Sequence, residues 1–286
     1  MHRIGQLIGL LAINSYYHVG LGEIYQGSAK VCPAPALNCY SCPFASFACP
    51  IGSLQHFVAI RAFPYYVIGT IALVGMIVGR AACGWFCPFG LIQDLLYKIR
   101  TWKLRLPRWA TSIRFYLLVA ILVAVYFAGH PYFCALICPA GTLEAGVPLV
   151  SGDEELAALT GWLFYLKFGL ALLFLGFTVL VKRPFCRVIC PLGALYSLFN
   201  RWSIIRLSIE PDRCTQCGLC QKACPMDIRP YEGSNMTDCI RCFRCGTVCP
   251  HQVISMTGPL GDRVERLPDP TPRPPALSTP IRSSGA

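Results

Sequence analysis

Two runs of cysteine in the C-terminal third constrain this chain more than any other feature. Cys214, Cys217, Cys220 and Cys224 follow the spacing Cys-x2-Cys-x2-Cys-x3-Cys-Pro, and Cys239, Cys242, Cys245 and Cys249 repeat it. In this spacing three cysteines wrap a tight loop around one iron–sulfur cube and the fourth reaches across to the other. Two [4Fe–4S] clusters are therefore expected. One is held by Cys214, Cys217, Cys220 and Cys249, the other by Cys239, Cys242, Cys245 and Cys224. A pair of zinc sites is the competing reading, but zinc needs neither the third cysteine nor the trailing proline.

These eight are part of a total of 18 cysteines, and the rest carry a pattern of their own. The tetrapeptide Cys-Pro-x-Gly begins at Cys49, Cys87, Cys138 and Cys190. Cys83, Cys134 and Cys186 stand four residues before the last three copies, while Ala45 holds that place in the first. The recurrence marks an internal repeat. Proline suits the first helical position, which makes each preceding cysteine an N-cap. Free backbone N–H groups and the positive end of the helix dipole then face the sulfur, an arrangement that favours an anionic cluster. The residues that follow, such as Leu91, Ile92, Leu95, Leu96 and Ile99, predict short amphipathic helices along a membrane surface.

Composition places the repeat in a membrane. Apolar residues make up 55% and charged residues 14%, where a soluble domain carries about 25% charged. The chain is too apolar for disorder and too long for a disulfide-stapled miniprotein. Four stretches, 4–22, 57–79, 115–133 and 162–181, are apolar over about 20 residues, the length that crosses a bilayer. The first is interrupted by Gln6, Asn14 and His18. A signal peptide is its alternative reading, although Arg3 alone is a poor basic start. Lys and Arg crowd 80–114 and 182–206, whereas 23–56 holds only Lys30 and 134–161 holds none. By the positive-inside rule both termini face the cytoplasm of a bacterial inner membrane. The net charge of +11 is then a topology signal, and nucleic acid drops out as a partner. The expected fold is an α-helical membrane domain of four transmembrane helices at 1–206. A small α+β two-cluster ferredoxin domain follows at 207–257 on the cytoplasmic side, then a Pro-rich disordered tail at 258–286.

Topology sorts the remaining cysteines. Cys83, Cys87, Cys186 and Cys190 fall on the inner side as two matched pairs and are candidate ligands of a third cluster; structural or palmitoylated thiols are the alternative. Outward lie Cys32, Cys39, Cys42, Cys49, Cys134 and Cys138. Either Cys32, Cys39, Cys42 and Cys49 form a fourth site alone, or Cys42, Cys49, Cys134 and Cys138 form it by analogy with the inner one. Disulfides are the third reading in an oxidising compartment. On this topology a hydrocarbon layer of about 30 Å separates the two groups. His18, His130 and Lys167 are candidates for a quinone site, or else interfacial polar anchors.

At this point the chain resembles the NapH family, on its four apolar segments, its inner Cys-x3-Cys-Pro pairs at Cys83/Cys87 and Cys186/Cys190, and its C-terminal double run. NapH is the membrane ferredoxin-type subunit associated with periplasmic nitrate reductase, and a similar core occurs in the NosR polyferredoxin proteins. The resemblance covers roughly residues 1–257. It implies electron transfer linked to the quinone pool through the inner four and the eight ferredoxin cysteines, in a non-catalytic subunit serving a redox partner. The outward cysteines depart from the family pattern, so nitrate reduction is not carried over. Two other functions fit the residues: a transmembrane wire joining cytoplasmic and periplasmic carriers, and a redox sensor or maturation factor. No Gly-x-Gly-x-x-Gly marks a flavin or nucleotide site. The four spans contain no Asp or Glu to couple an ion, which argues against a transporter.

Overall fold

Every Cys-Pro-x-Gly copy begins a helix in the computed structural model of the chain, which describes residues 2–16, 24–233, 236–258 and 263–264. Cys49, Cys87, Cys138 and Cys190 are N-caps with extended backbone. The proline after each fills the first helical position, where its missing N–H would have had no partner in any case.

The chain opens with α1 (His2–Ile13), crosses a loop carrying Cys32, Cys39 and Cys42, and enters α2 (Pro50–Ala59). Next come α3 (Tyr65–Val78), the short α4 (Ala81–Trp85) with Cys83, and α5 (Pro88–Leu96). A 3-10 turn over Arg108–Ser112 leads into α6 (Ile113–Ala128). Beyond it a π-helical turn at Phe133–Ile137 carries Cys134, and α7 (Pro139–Gly141) runs through a second π turn into α8 (Val147–Gly152). Asp153 caps α9 (Glu154–Ala158), accepting from the Glu155 N–H at 2.9 Å. The long α10 (Trp162–Leu180) is followed by α11 (Pro184–Val188) with Cys186, and by α12 (Pro191–Phe199).

Among the described residues two helices, Arg108–Ala128 and Trp162–Leu180, are long and apolar enough to cross a membrane, rather than the four expected. Their outer faces leave Tyr116, Val119, Phe127, Leu172 and Leu173 exposed. The stretch 57–79 is not one helix. The Cys49-Pro50 start commits 50–59 to α2, Arg61 takes a left-handed φ of 56°, and Pro64 has no N–H to give a continuing helix. What remains is α3, 14 residues long. The first expected span is represented by the 12 residues of α1; 17–23, including His18, lie outside the described residues. Most of the 258–286 tail lies outside them too.

The C-terminal unit is a three-stranded antiparallel sheet with two short helices. β1 (Arg206–Ile209) pairs with β2 (Ile254–Thr257), Leu207 opposite Met256, and β2 pairs with β3 (Arg263–Val264). The helices are α13 (Leu219–Ala223) and α14 (Arg244–Thr247). Leu207, Val253 and Ile254 pack on Cys220 and Cys245.

This unit is sealed onto the helices at backbone level. Gly84, next to Cys83, abuts the carbonyl oxygen of Ile240, next to Cys239, and leaves no room for a Cβ. Trp85 Nε1 donates to the Arg241 carbonyl at 3.1 Å, and Arg241 Nη1 donates to the Val78 carbonyl at 3.2 Å. One continuous core therefore runs from Cys49 and Cys138 through Cys83, Cys87, Cys186 and Cys190 to Cys224. The Cys-Pro helices begin inside this core, where protein rather than lipid can satisfy their first backbone N–H groups.

Candidate iron–sulfur centres

The two C-terminal runs cross. One cavity is lined by Cys214, Cys217 and Cys220 of the first run and Cys249 of the second. Another is lined by Cys239, Cys242 and Cys245 of the second run and Cys224 of the first. Positive φ at Gln216, Gly218 and Asp227 curls the first run, and the same places in the second, Arg241, Phe243 and Gln252, repeat it. Burial pushes the Cys220 thiol up to about 11 and Cys242 up to about 12. These sulfurs become ligands only by giving up a proton. Among the described residues, no three His, Cys, Asp or Glu close tightly enough for a single metal ion. Four cysteines around each cavity supply the four thiolates that a cubane takes.

Cys83, Cys87, Cys186 and Cys190 meet as a second kind of site. All four are buried, and the charge of each acts on the others. Gln93, six residues after Cys87, donates from Nε2 to Cys186 Sγ at 3.0 Å. The Gly193 N–H donates to Cys190 Sγ at 3.4 Å, and the Gly90 and Leu37 N–H groups favour the Cys87 thiolate.

Buried guanidinium groups, among them those of Arg80, Arg114, Arg183 and Arg187, surround this site and its border with the ferredoxin unit. Arg80 donates to the Cys186 carbonyl at 3.1 Å, and Arg183 grips Asp94 through two bonds of 2.8 Å. Among the described residues their ion-pair partners are Asp94 and Asp238 alone. Arg80 Nε, Arg114 Nε, Arg183 Nη1 and Arg187 Nε have no hydrogen-bond partner. Burying cations in excess of carboxylates is costly unless an anion joins them. A cluster carrying four thiolates is such an anion, so the residues fit it.

The outward cysteines divide. Cys39, Cys49, Cys134 and Cys138 converge closely enough for their charges to act on one another. Gln55, six residues after Cys49, donates from Nε2 to Cys134 Sγ at 3.3 Å and accepts the Phe133 N–H at 3.2 Å. Gly52 faces Cys134 Sγ, and Gly141 faces Cys39 Sγ. Cys42 stands aside, packed on Ala45 and Ala145 with its sulfur 3.9 Å from Asn14 Oδ1. Cys32 is exposed. Cys39 thus occupies the place that analogy gave to Cys42. The contact responsible is Glu144 Oε2, which accepts the Cys39 N–H at 2.9 Å and draws the loop over the site. Burial pushes the Glu144 carboxyl up to about 8 against that bond.

Nor are the inner and outer groups separated by the thickness of a bilayer. The Leu37 N–H faces Cys87 and the next N–H, of Asn38, faces Cys49. Tyr196, 1% exposed, lies near enough to Cys83 and Cys49 to feel both charges. Because the Cys-Pro helices turn inward, the two groups share one core.

The quinone candidates scatter. His130 is exposed in the turn after α6, and Lys167 Nζ donates to the Cys134 carbonyl at 2.8 Å, beside the outer sulfurs. Four contributors escaped sequence reasoning: Gln55, Gln93, Glu144 and Tyr196. Aligning the four Cys-Pro-x-Gly copies reveals them, since each is the sixth residue after its cysteine.

Known sequences carry the same signature. The profile of a 4Fe-4S binding domain matches residues 43–64, 61–107, 111–149 and 159–210, and that of a 4Fe-4S dicluster domain matches 206–250. An uncharacterized protein of Methanocaldococcus jannaschii is 31% identical over 72% of this chain and 77% of its own length. The methylamine utilization ferredoxin-type protein MauN of Methylorubrum extorquens is 29% identical over 73% of this chain and 69% of its own. The ferredoxin-type protein NapH of Escherichia coli is 28% identical over 66% and 68%. No solved structure matches.

Proposed function

This chain belongs to the 4Fe-4S binding-domain family of NapH-type ferredoxins, and on that footing we propose that it is a membrane-bound subunit passing electrons between the quinone pool and a redox partner enzyme. As a 4Fe-4S electron-transfer protein it needs centres in sequence, shielded from water. The observation that carries the reading is the unbroken run of cysteine groups through the molecule. Cys220 acts on Cys245, Cys224 and Cys242 line the next cavity, and the core continues from Cys224 to Cys186 and Cys83.

On this reading Cys214, Cys217, Cys220 and Cys249 hold one cluster, Cys239, Cys242, Cys245 and Cys224 a second, and Cys83, Cys87, Cys186 and Cys190 a third. When bound, the clusters supply one-electron chemistry at potentials set by charge, burial and hydrogen bonds to sulfur. Arg80 and Arg183 place positive charge beside the third site, and Gln93 holds Cys186 in position. The apolar walls, Phe89, Phe185 and Leu192 among them, exclude water. Arg241 and the Gly84–Ile240 contact keep the second and third sites adjacent. The Lys- and Arg-rich segments would lie on the cytoplasmic face with the ferredoxin unit at 207–257. His130 is the exposed candidate for quinone contact.

The test is anaerobic addition of menaquinol to purified holoprotein with EPR detection. Reduction of at least one cluster is expected. If dithionite reduces the clusters and quinol leaves every one oxidised, the quinone link is lost.

The proximity of the outer group to Tyr196 favours a second reading, a conduit across the membrane between carriers on either side. Reconstituted vesicles with an external donor and an enclosed acceptor distinguish the two, because only a conduit reduces the acceptor without quinone.

A further inference from the structure

The outer group reproduces the construction of the inner one. In both, a glutamine six residues after a Cys-Pro cysteine reaches the first cysteine of another motif: Gln93 to Cys186 and Gln55 to Cys134. In both, the cysteines at the helix starts are stabilised by the N–H of the motif glycine: Gly90 and Gly193 inside, Gly52 and Gly141 outside. The inner site has Cys83 as its fourth sulfur. Its counterpart in the first repeat is Ala45, which is fully buried and offers none. Cys39 supplies the missing sulfur from a different segment, its Sγ facing Gly141.

The surroundings suit an anion. Lys30 is buried over the Tyr40 ring, its Nζ has no hydrogen-bond partner, and its charge acts on Cys42 and, less strongly, on Cys39. Lys167 Nζ sits against the Cys134 carbonyl.

We infer that Cys39, Cys49, Cys134 and Cys138 bind a fourth [4Fe–4S] cluster, in series with the inner one across Tyr196. This rests on the reading of the chain as an iron–sulfur electron carrier. The site takes up a preformed cluster from a thiol-bearing carrier. Four iron–sulfur bonds to this chain replace four to the carrier, each cysteine here gives its proton to the carrier thiolate it displaces, and the cluster keeps its oxidation state. Cys42 and Cys32 take no part.

Iron and sulfide counting on anaerobically purified holoprotein tests the site. About 16 iron atoms per chain are expected, four for each cubane. Cys39→Ser and Cys134→Ser should each lose a quarter of the iron, while Cys42→Ser and Cys32→Ser retain all of it. Should a ligand variant fold poorly, Gln55→Leu serves instead. It should keep full iron while shifting the midpoint of one EPR signal, and Gln93→Leu should shift a different one.

A wild-type content of three-quarters of that value, with Cys39, Cys49, Cys134 or Cys138 joined in disulfides on peptide mapping, overturns the fourth site and leaves the other three intact. So does loss of iron from Cys42→Ser but not from Cys39→Ser. A protein without iron at all overturns the electron-carrier reading itself.

Discussion

Gln93 Nε2 lies 3.0 Å from Cys186 Sγ, and this bond joins the two halves of the inner site. Gln93 belongs to the helix begun by Cys87, whereas Cys186 precedes the helix begun by Cys190. A donor on a thiolate stabilises the extra negative charge of a reduced cluster, so Gln93→Leu should lower the inner midpoint without loss of iron. With about 1 kcal/mol at stake, the shift is on the order of 40 mV for one electron. EPR-monitored redox titration checks it, and an unchanged midpoint would mean that Gln93 only packs.

Asp94 and Arg183 form the pair that anchors α5 to α11. Burial alone would raise the Asp94 carboxyl, but hydrogen bonds from His2 and Arg183 outweigh it and hold the group well below the usual carboxylate range. A carboxyl so depressed adds stability that is complete above its unfolded pKa of about 4 and is lost as pH falls further toward the folded value. Asp94→Asn leaves Arg183 buried and unpaired and should cost about 3–5 kcal/mol at neutral pH. Thermal unfolding in detergent should show the gap between wild type and variant narrowing below about pH 4.

Crossed ligation has a spectroscopic signature. Cys249→Ser should abolish the same EPR signal as Cys217→Ser, and Cys224→Ser the same signal as Cys242→Ser. Each should remove about four iron atoms. Pairing within a run, Cys224→Ser with Cys217→Ser, would contradict the cavity linings.

At Gly84 the ferredoxin unit touches the helices without a side chain between them. Gly84→Ala puts a methyl group against the Ile240 carbonyl and should destabilise the junction by about 1–3 kcal/mol. Faster proteolytic release of the C-terminal unit and slower electron exchange between the inner and ferredoxin clusters are the expected readouts.

What the sequence revealed depended on how local the signal was. The C-terminal runs place their cysteines within a few residues of one another, so the curl at Gln216 and Arg241 is implicit in the spacing. The N-cap role of Cys49, Cys87, Cys138 and Cys190 is equally local, because proline can begin a helix but not continue one. The span at 57–79 failed for the same reason: hydropathy registers apolar residues and overlooks the break at Arg61 and Pro64. Cys39 was harder to find. Its position depends on Glu144, 105 residues distant in sequence, and no periodicity connects them. Tyr196 shares the repeat position of Gln55, Gln93 and Glu144, but only the fold brings it near both Cys83 and Cys49.

The surplus of buried guanidinium groups over carboxylates bears on stability. Arg80, Arg114, Arg183 and Arg187 outnumber the carboxylates that pair with them, so the closed arrangement of α4, α11 and α12 should be less stable without an anion between them. The ferredoxin unit docks through Arg241 onto Val78 and Asn200 beside these groups, so loss of the inner cluster is expected to loosen that seam.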